Sequence, residues 1–380
     1  MDKRTQIQHE ASNEWLSHKR GICVLRTGSG KMRLLAMCLL KAIRDGLVSD
    51  KDKVMFMAEV SLDLKSRRRK DFLKDLSVVE EMLGIKNTCE IIFQTYQANK
   101  SISDEVKLLL LDEVDVPSTV LIKPLLEYKN YLVGVTATLK ETGEVSKKEL
   151  VEQLAPVIYR YGFNQALEDG IANKVNLYRI PHELGSNSVN IWGSKWGTEK
   201  EYWEFWNNKA KEIAFSNPTW SLSIKKNKLP RFLFNLESKI PLVRRFLSVA
   251  KKKTIGFGKE LLYLEKISRN VVTEKTYIDL LAKLERGEIT HVLSSKKIQR
   301  GENIPSIVNI LLIGVGKDSD MIEQLAGRSR FEEGKETNVF VVVTKGTYEE
   351  RWFEEIIKKR DKNGKVKSTL NWEFKGDLKL

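Results

Sequence analysis

The run LLLLDEVD, Leu108 to Asp115, is four leucines closed by acidic residues. Four apolar side chains in succession leave a strand no solvent face, so it belongs in a parallel sheet covered by helices on both sides. Its carboxyl end then carries Asp112 and Glu113 at the sheet edge where such folds bind ligands. Burying two carboxylates there without a task would cost free energy. Holding Mg²⁺ through water suits Asp112, and orienting an attacking water suits Glu113.

Outward from this strand, similar runs recur: GICVL (21–25), KVMFMAEV (53–60), EIIFQTY (90–96) and YLVGVTATL (131–139). Amphipathic stretches separate them, which predicts an α/β fold with a parallel sheet. A second series follows, VNLYRI (175–180), KKTIGFG (252–258), THVLSS (290–295), VNILLIGVG (308–316) and TNVFVVVTKG (337–346). Two α/β lobes are expected, with the boundary within 160–173 and the lobes set at 1–160 and 161–380. Residues 185–245 differ in character, holding five of the eight tryptophans. Tyr202, Trp206 and Ile213 fall at helical spacing, which predicts a helical insertion packed on the second lobe. Stacking of these aromatics on unpaired bases is the sharper alternative.

Upstream of the deciding strand, GICVLRTGSGKMRLLAM (21–37) runs from an apolar strand through glycines into an apolar helix. A phosphate cradle needs inward backbone N–H groups, a lysine and a helix N-terminus behind it. Thr27, Gly28, Ser29, Gly30 and Lys31 supply these. A short glycine-lysine string is weak alone; joined to the Asp112-Glu113 strand end it becomes strong. The next position, where such loops place a magnesium-binding hydroxyl, is Met32.

The 380 residues carry 65 Lys and Arg against 51 Asp and Glu, a net charge of +14. Such a balance favours a polyanionic partner, with solubility as the bland alternative. No apolar run approaches the roughly 20 residues of a membrane span, and the N-terminus lacks a secretory signal pattern. A cytoplasmic protein without a membrane partner is expected. Cys23, Cys38 and Cys89 have neither disulfide nor zinc spacing and read as buried thiols.

The order of these motifs resembles the superfamily 2 helicases and translocases, and most of all the compact phage and bacterial DNA helicases of the UvsW and RecG type. The resemblance spans about Gln8 to Trp352. QHEASNEWL (8–16) is similar to the adenine-reading segment, with Gln8 as the base contact. VMFMAEVSLDLKSRRR (54–69) resembles motif Ia, FQTYQ (93–97) the strand end that brings Thr95 and Gln97 to the nucleic acid, and GVTATL (134–139) motif III. There Thr136 and Thr138 would couple the nucleotide site to the track. In the second lobe KKTIGFGKELLYLEKI (252–267) resembles motif IV and LSSKKIQRGENIP (293–305) motif V, with Gly301 and Asn303 at the nucleotide. QLAGRSRF (324–331) resembles motif VI, and KGTYEERW (345–352) the segment that follows it.

The resemblance implies two RecA-like lobes with parallel sheets, ATP and Mg²⁺ as cofactors, and Lys31, Asp112, Glu113, Gln324, Arg328 and Arg330 as catalytic residues. Gln324 and Arg328 would face ATP across the cleft between lobes. It also implies DNA, single-stranded or branched, as partner; RNA stays open, as do replication or recombination proteins and a phage origin. Three positions depart from the pattern. Met32 removes a metal ligand; Phe331 stands where motif VI places its second arginine, leaving Arg330 one position away; Asn303 replaces an acid. A nucleotide-gated binder without turnover, or the motor of a restriction or remodelling assembly, therefore remain as alternatives.

LKSRRRKDFLKDL (64–76) predicts an amphipathic helix whose Arg67, Arg68, Arg69 and Lys70 suit phosphate contacts that position a strand without reading sequence. SIKKNK (223–228) is a second such candidate. The basic C-terminal stretch 358–380 predicts a hairpin or flexible tail.

Overall fold

The computed structural model describes all residues except 27, 59–61, 99–100, 116–118, 138, 140–146, 187, 192–193, 274, 296–306, 317–321, 323–324, 327–334 and 360–371. The chain divides into two compact units, Met1–Ile171 and Ala172–Leu380.

In chain order the first unit contains α1 (Lys3–His18), β1 (Arg20–Leu25), α2 (Lys31–Arg44), β2 (Lys53–Ala58), α3 (Leu62–Leu83), β3 (Glu90–Thr95) and β4 (Val106–Asp112). It continues with α4 (Thr119–Glu127), β5 (Tyr131–Thr136), α5 (Lys147–Leu154), β6 (Val157–Tyr161) and α6 (Phe163–Glu168). Its strands lie in the order β3-β2-β4-β5-β1-β6, and all their pairings are parallel. The leucine run is β4, fully buried from Leu108 to Leu111 and flanked by β2 and β5. Because every strand of a parallel sheet ends on the same edge, the loops after β1, β4 and β5 are neighbours. The strand β6, which the apolar-run reading passes over, pairs with β1, and α6 goes with this unit.

The second unit opens with β7 (Lys174–His182) and an antiparallel hairpin, β8 (Ser188–Ile191) and β9 (Ser194–Thr198). Four helices follow, α7 (Glu199–Glu212), α8 (Pro218–Ser223), α9 (Leu229–Phe234) and α10 (Lys239–Val249), with a π turn at Ile224–Lys228 before α9. Then come β10 (Thr254–Phe257), α11 (Leu261–Ile267), β11 (Val271–Val272), α12 (Tyr277–Arg286), β12 (His291–Ser294) and β13 (Asn309–Leu312). The last elements are β14 (Glu336–Thr344), α13 (Tyr348–Ile357) and β15 (Trp372–Asp377). The sheet order is β11-β12-β10-β13-β14-β7-β15, again parallel throughout.

Part of the aromatic stretch of the insertion is core. Tyr202, Trp203 and Ala210 on α7 and Ile213 just after it pack with Ile224, Leu229, Phe232, Leu233 and Leu236, and Trp206 leans on the same cluster. A capping box, Thr198 with Glu201, starts α7 and satisfies N–H groups that helices otherwise leave orphaned. Phe205, Trp220 and Leu222 remain exposed. The C-terminal residues 372–377 are not a free tail: they form β15 along β7. Trp372 is buried there, Phe374 meets Phe353 edge-on, and Asp377 pairs with Arg179 at 2.6 Å.

Candidate functional site

The phosphate loop leaves β1 and enters α2 through two left-handed glycines, Gly28 (φ 88°) and Gly30 (φ 86°). That region penalises a Cβ, so the loop geometry itself calls for glycine. Gly30 is doubly constrained, because a Cβ there would sit 2.1 Å from the Gln8 side-chain nitrogen. Gln8, buried on α1, donates from Nε2 to the Ser29 carbonyl at 2.8 Å, while its Oε1 is buried without a partner. The residue read as an adenine contact thus braces the loop from behind. Ser29 is itself buried, its hydroxyl donating to the Arg26 carbonyl at 2.8 Å. Arg26 is a loop-side feature that sequence inspection missed. Its guanidinium is buried over the Phe163 ring, donates to the Ile171 carbonyl at 2.9 Å, and burial lowers its pKa to about 10.

Lys31 is the first residue of α2, capped by Gly30, at the positive end of the helix dipole. Met32 beside it is buried, 9% exposed, so a thioether packs where a hydroxyl would reach a metal. Thr27 lies outside the described residues.

At the end of β4, Asp112 is 1% exposed and neither carboxylate oxygen has a hydrogen-bond partner. Burial raises its pKa, the adjacent Glu113 adds to the rise, and Arg68 and Lys31 oppose it. An orphaned buried carboxylate is a poor resident of a protein interior unless a cation completes it. Asp112 therefore fits a divalent ion whose other ligands are waters and phosphate oxygens, the usual magnesium arrangement. No group of three or more His, Cys, Asp or Glu side chains able to cage a metal occurs among the described residues.

Glu113 has φ 50°, a left-handed conformation that a non-glycine residue adopts at a cost. The turn lets the backbone reverse while Val114 N–H donates to the Val135 carbonyl at 3.2 Å, stitching the acid turn to β5. Behind it, Tyr96 donates its hydroxyl proton to the Asp112 carbonyl at 2.9 Å. Thr136 is buried and donates to Asp115, whose own pKa burial raises. Asp115 joins the acid turn to the end of β5, a link that the sequence reading left unassigned although the fourth position of DEVD signals it.

The basic helix splits its roles. Arg68 on α3 turns inward, its guanidinium 3.6 Å from Asp112 Oδ2 and 3.7 Å from Glu113 Oε1. Arg69 is exposed and lies over the Phe93 ring, 5.4 Å to the centroid, and Lys70 is exposed. The Arg67 side chain lies outside the described residues. Thr95 accepts from Ala98 N–H at 3.2 Å at the end of β3, and Gln97 is exposed in the 3₁₀ turn that follows. Thr138, Gly301, Asn303, Gln324, Arg328 and Arg330 also lie outside the described residues.

No protein-family model matches the chain. Over 383 aligned residues it is 26% identical to the DNA 3′-5′ translocase XPB2 of Sulfurisphaera tokodaii, covering 90% of this chain and 82% of that protein. The Pyrococcus furiosus Hef helicase domain superposes with a TM-score of 0.53 at 13% identity, over 92% of this chain and 97% of that one. The chain is therefore similar in sequence to a DNA translocase and in fold to a helicase domain. The ATP-dependent Type ISP restriction-modification enzyme LlaBIII, bound to DNA, superposes at 0.51 with 14% identity, covering 92% of this chain but 29% of that one. The two structural matches share the fold predicted from the apolar runs, an α/β chain with two parallel sheets. Among the described residues, no helix is long and apolar enough to cross a membrane.

Proposed function

We propose that the protein hydrolyses ATP and couples the hydrolysis to movement along DNA. The observation that carries this reading is the shared strand edge: Gly28 to Lys31 after β1 and the orphaned Asp112 with Glu113 after β4. A phosphate cradle and a cation-hungry carboxylate on one edge suit a magnesium nucleotide. When bound, Mg²⁺ would neutralise charge on the outer phosphates. Lys31 would reach those phosphates, Asp112 would hold the ion through water, and Glu113 would orient the attacking water.

Gln324 and Arg328 in the second unit, with Arg330 as the displaced second arginine, complete the proposed catalytic set. Gly301 and Asn303 are assigned to the nucleotide. Thr95, Gln97, Thr136, Thr138 and the α3 arginines are assigned to the DNA track and its coupling. The sequence kinship to a protein named as a DNA 3′-5′ translocase supports DNA over RNA and makes 3′ to 5′ the direction to test. The segments 252–267 and 324–331 support a place near the UvsW and RecG types, with work in replication, recombination or repair.

Buried Met32 favours one second reading, a nucleotide-gated clamp that binds DNA with little turnover. Phosphate release, measured with and without single-stranded, branched and duplex DNA, separates the two. DNA-stimulated turnover that falls on the order of 10² or more in Glu113→Gln, with ATP affinity nearly unchanged, is the expected result. Turnover that ignores both DNA and the substitution would overturn the motor reading.

A further inference from the structure

Arg68 is out of place for a residue whose work is outside. It sits on a helix rich in cations, yet its guanidinium points to the acid pair, and its side chain is 15% exposed against 2% for Asp112 and 18% for Glu113. Neither Asp112 oxygen receives a hydrogen bond, and this guanidinium lies within ion-pair distance of both carboxylates. The separations of 3.6 and 3.7 Å are those of an ion pair that is held loosely and leaves room, not of a bidentate clamp. Two carboxylates side by side in a desolvated turn repel each other, and one cation between them relieves the repulsion. A divalent ion at Asp112 would do the same work and would compete for the same position by charge alone.

We propose that Arg68 is a displaceable counter-ion: it neutralises Asp112 and Glu113 in the metal-free protein and yields that position when a divalent cation arrives. This rests on the reading of Asp112 as the metal-holding residue. Because Arg68 belongs to α3, the helix that begins at Leu62 just past β2, its release changes the charge that α3 presents to a phosphate backbone. Filling of the nucleotide site is thereby linked to the basic helix through one side chain, by exchange of partners rather than by a long path.

The test needs neither nucleotide nor turnover. The full chain and its Arg68→Gln variant are unfolded by heat in metal-free buffer and in millimolar MgCl2, and Mn²⁺ binding to both is followed by electron paramagnetic resonance. Arg68→Gln should melt lower than the parent without metal, recover most of that loss in MgCl2, and bind Mn²⁺ roughly tenfold more tightly, since a competing charge is gone. Adding Asp112→Asn to Arg68→Gln should abolish both the metal rescue and the gain in Mn²⁺ affinity. Arg68→Lys, which keeps the charge, should lie between parent and Gln variant and serves if the Gln variant does not fold. Equal or weaker Mn²⁺ binding in the Arg68 variants, with no extra metal response in melting, would overturn the proposal. ATP binding by the parent and by Lys31→Ala is measured separately. A parent that binds no ATP refutes the nucleotide-site reading whatever the metal titrations show.

Discussion

Glu113 stands at the junction of chemistry and backbone strain. Its φ of 50° places a side chain with a Cβ where glycine is at ease, at a cost of about 1–3 kcal/mol. The sequence DEVD shows which carboxylate ends the strand, but not that the chain turns left-handed at the next residue. That turn is what carries Val114 back to β5 and aims the Glu113 carboxylate beside Asp112. In the proposed reading, strain beside two like charges is stability given up for function. Glu113→Gly should therefore melt at or above the parent temperature while losing DNA-stimulated hydrolysis. Calorimetry together with phosphate release checks both halves, and a clear drop in melting temperature would show that the left-handed turn is not strained.

Among the elements, the insertion helices are fastened to the second sheet by a buried polar anchor. Lys239, fully buried at the start of α10, donates at 2.8 Å to both Glu349 oxygens and to the Leu233 carbonyl. Glu349 on α13 also accepts from Thr344 N–H at 3.0 Å and Val315 N–H at 3.3 Å. Burial lowers the Lys239 pKa, and Glu349 resists that change. Breaking such a pair from one side leaves the other charge uncompensated, which costs about 3–5 kcal/mol. Lys239→Met should lower the denaturation midpoint of the second unit sharply. Lys239→Met with Glu349→Gln should recover part of it, because Gln is neutral and its one carbonyl oxygen still accepts from one of the two backbone groups. A double variant no better than the single one, in urea titrations, would mean that the charge is not what the anchor protects.

For the molecule as a whole, His182 is one group that ties stability to pH. His182, at the end of β7, is held by Thr344 (3.1 Å) and Ser238 (2.9 Å), tying the sheet to the start of α10. Burial, reinforced by the Lys239 charge, lowers its pKa from 6.5 to about 3. The folded chain therefore resists protonation at His182 while the unfolded chain accepts it. The stability from the neutral ring is complete above about pH 6.5 and drains as pH falls toward 3. The second unit should lose stability across that window, and His182→Gln should flatten the dependence. Melting temperatures of parent and variant across that range check it; parallel curves would remove His182 as the cause.

At every scale, what was legible from the sequence was what short-range patterning controls. Unbroken apolar runs marked ten of the strands, since burial on both faces demands them. The glycine-lysine loop and the strand-end acids stood out because a left-handed turn calls for glycine and a buried carboxylate is costly without a partner, and the fold brings both to one strand edge. The aromatic stretch at 196–213 read correctly as core at Tyr202, where helical spacing sets the buried face. Only the tertiary structure decided the rest. β6 (VIYRY) and β15 (WEFKGD) are short runs broken by charged residues, and each is a strand because a neighbouring strand's edge was open to pair with it. Gln8 faces the phosphate loop and Asp115 meets Thr136 because α1 packs on α2 and β5 lies beside β4. Arg68 is the sharpest case. Neighbouring arginines look alike in a sequence, and which one turns inward depends on the phase of α3 against two carboxylates more than forty positions away, a distance only folding closes.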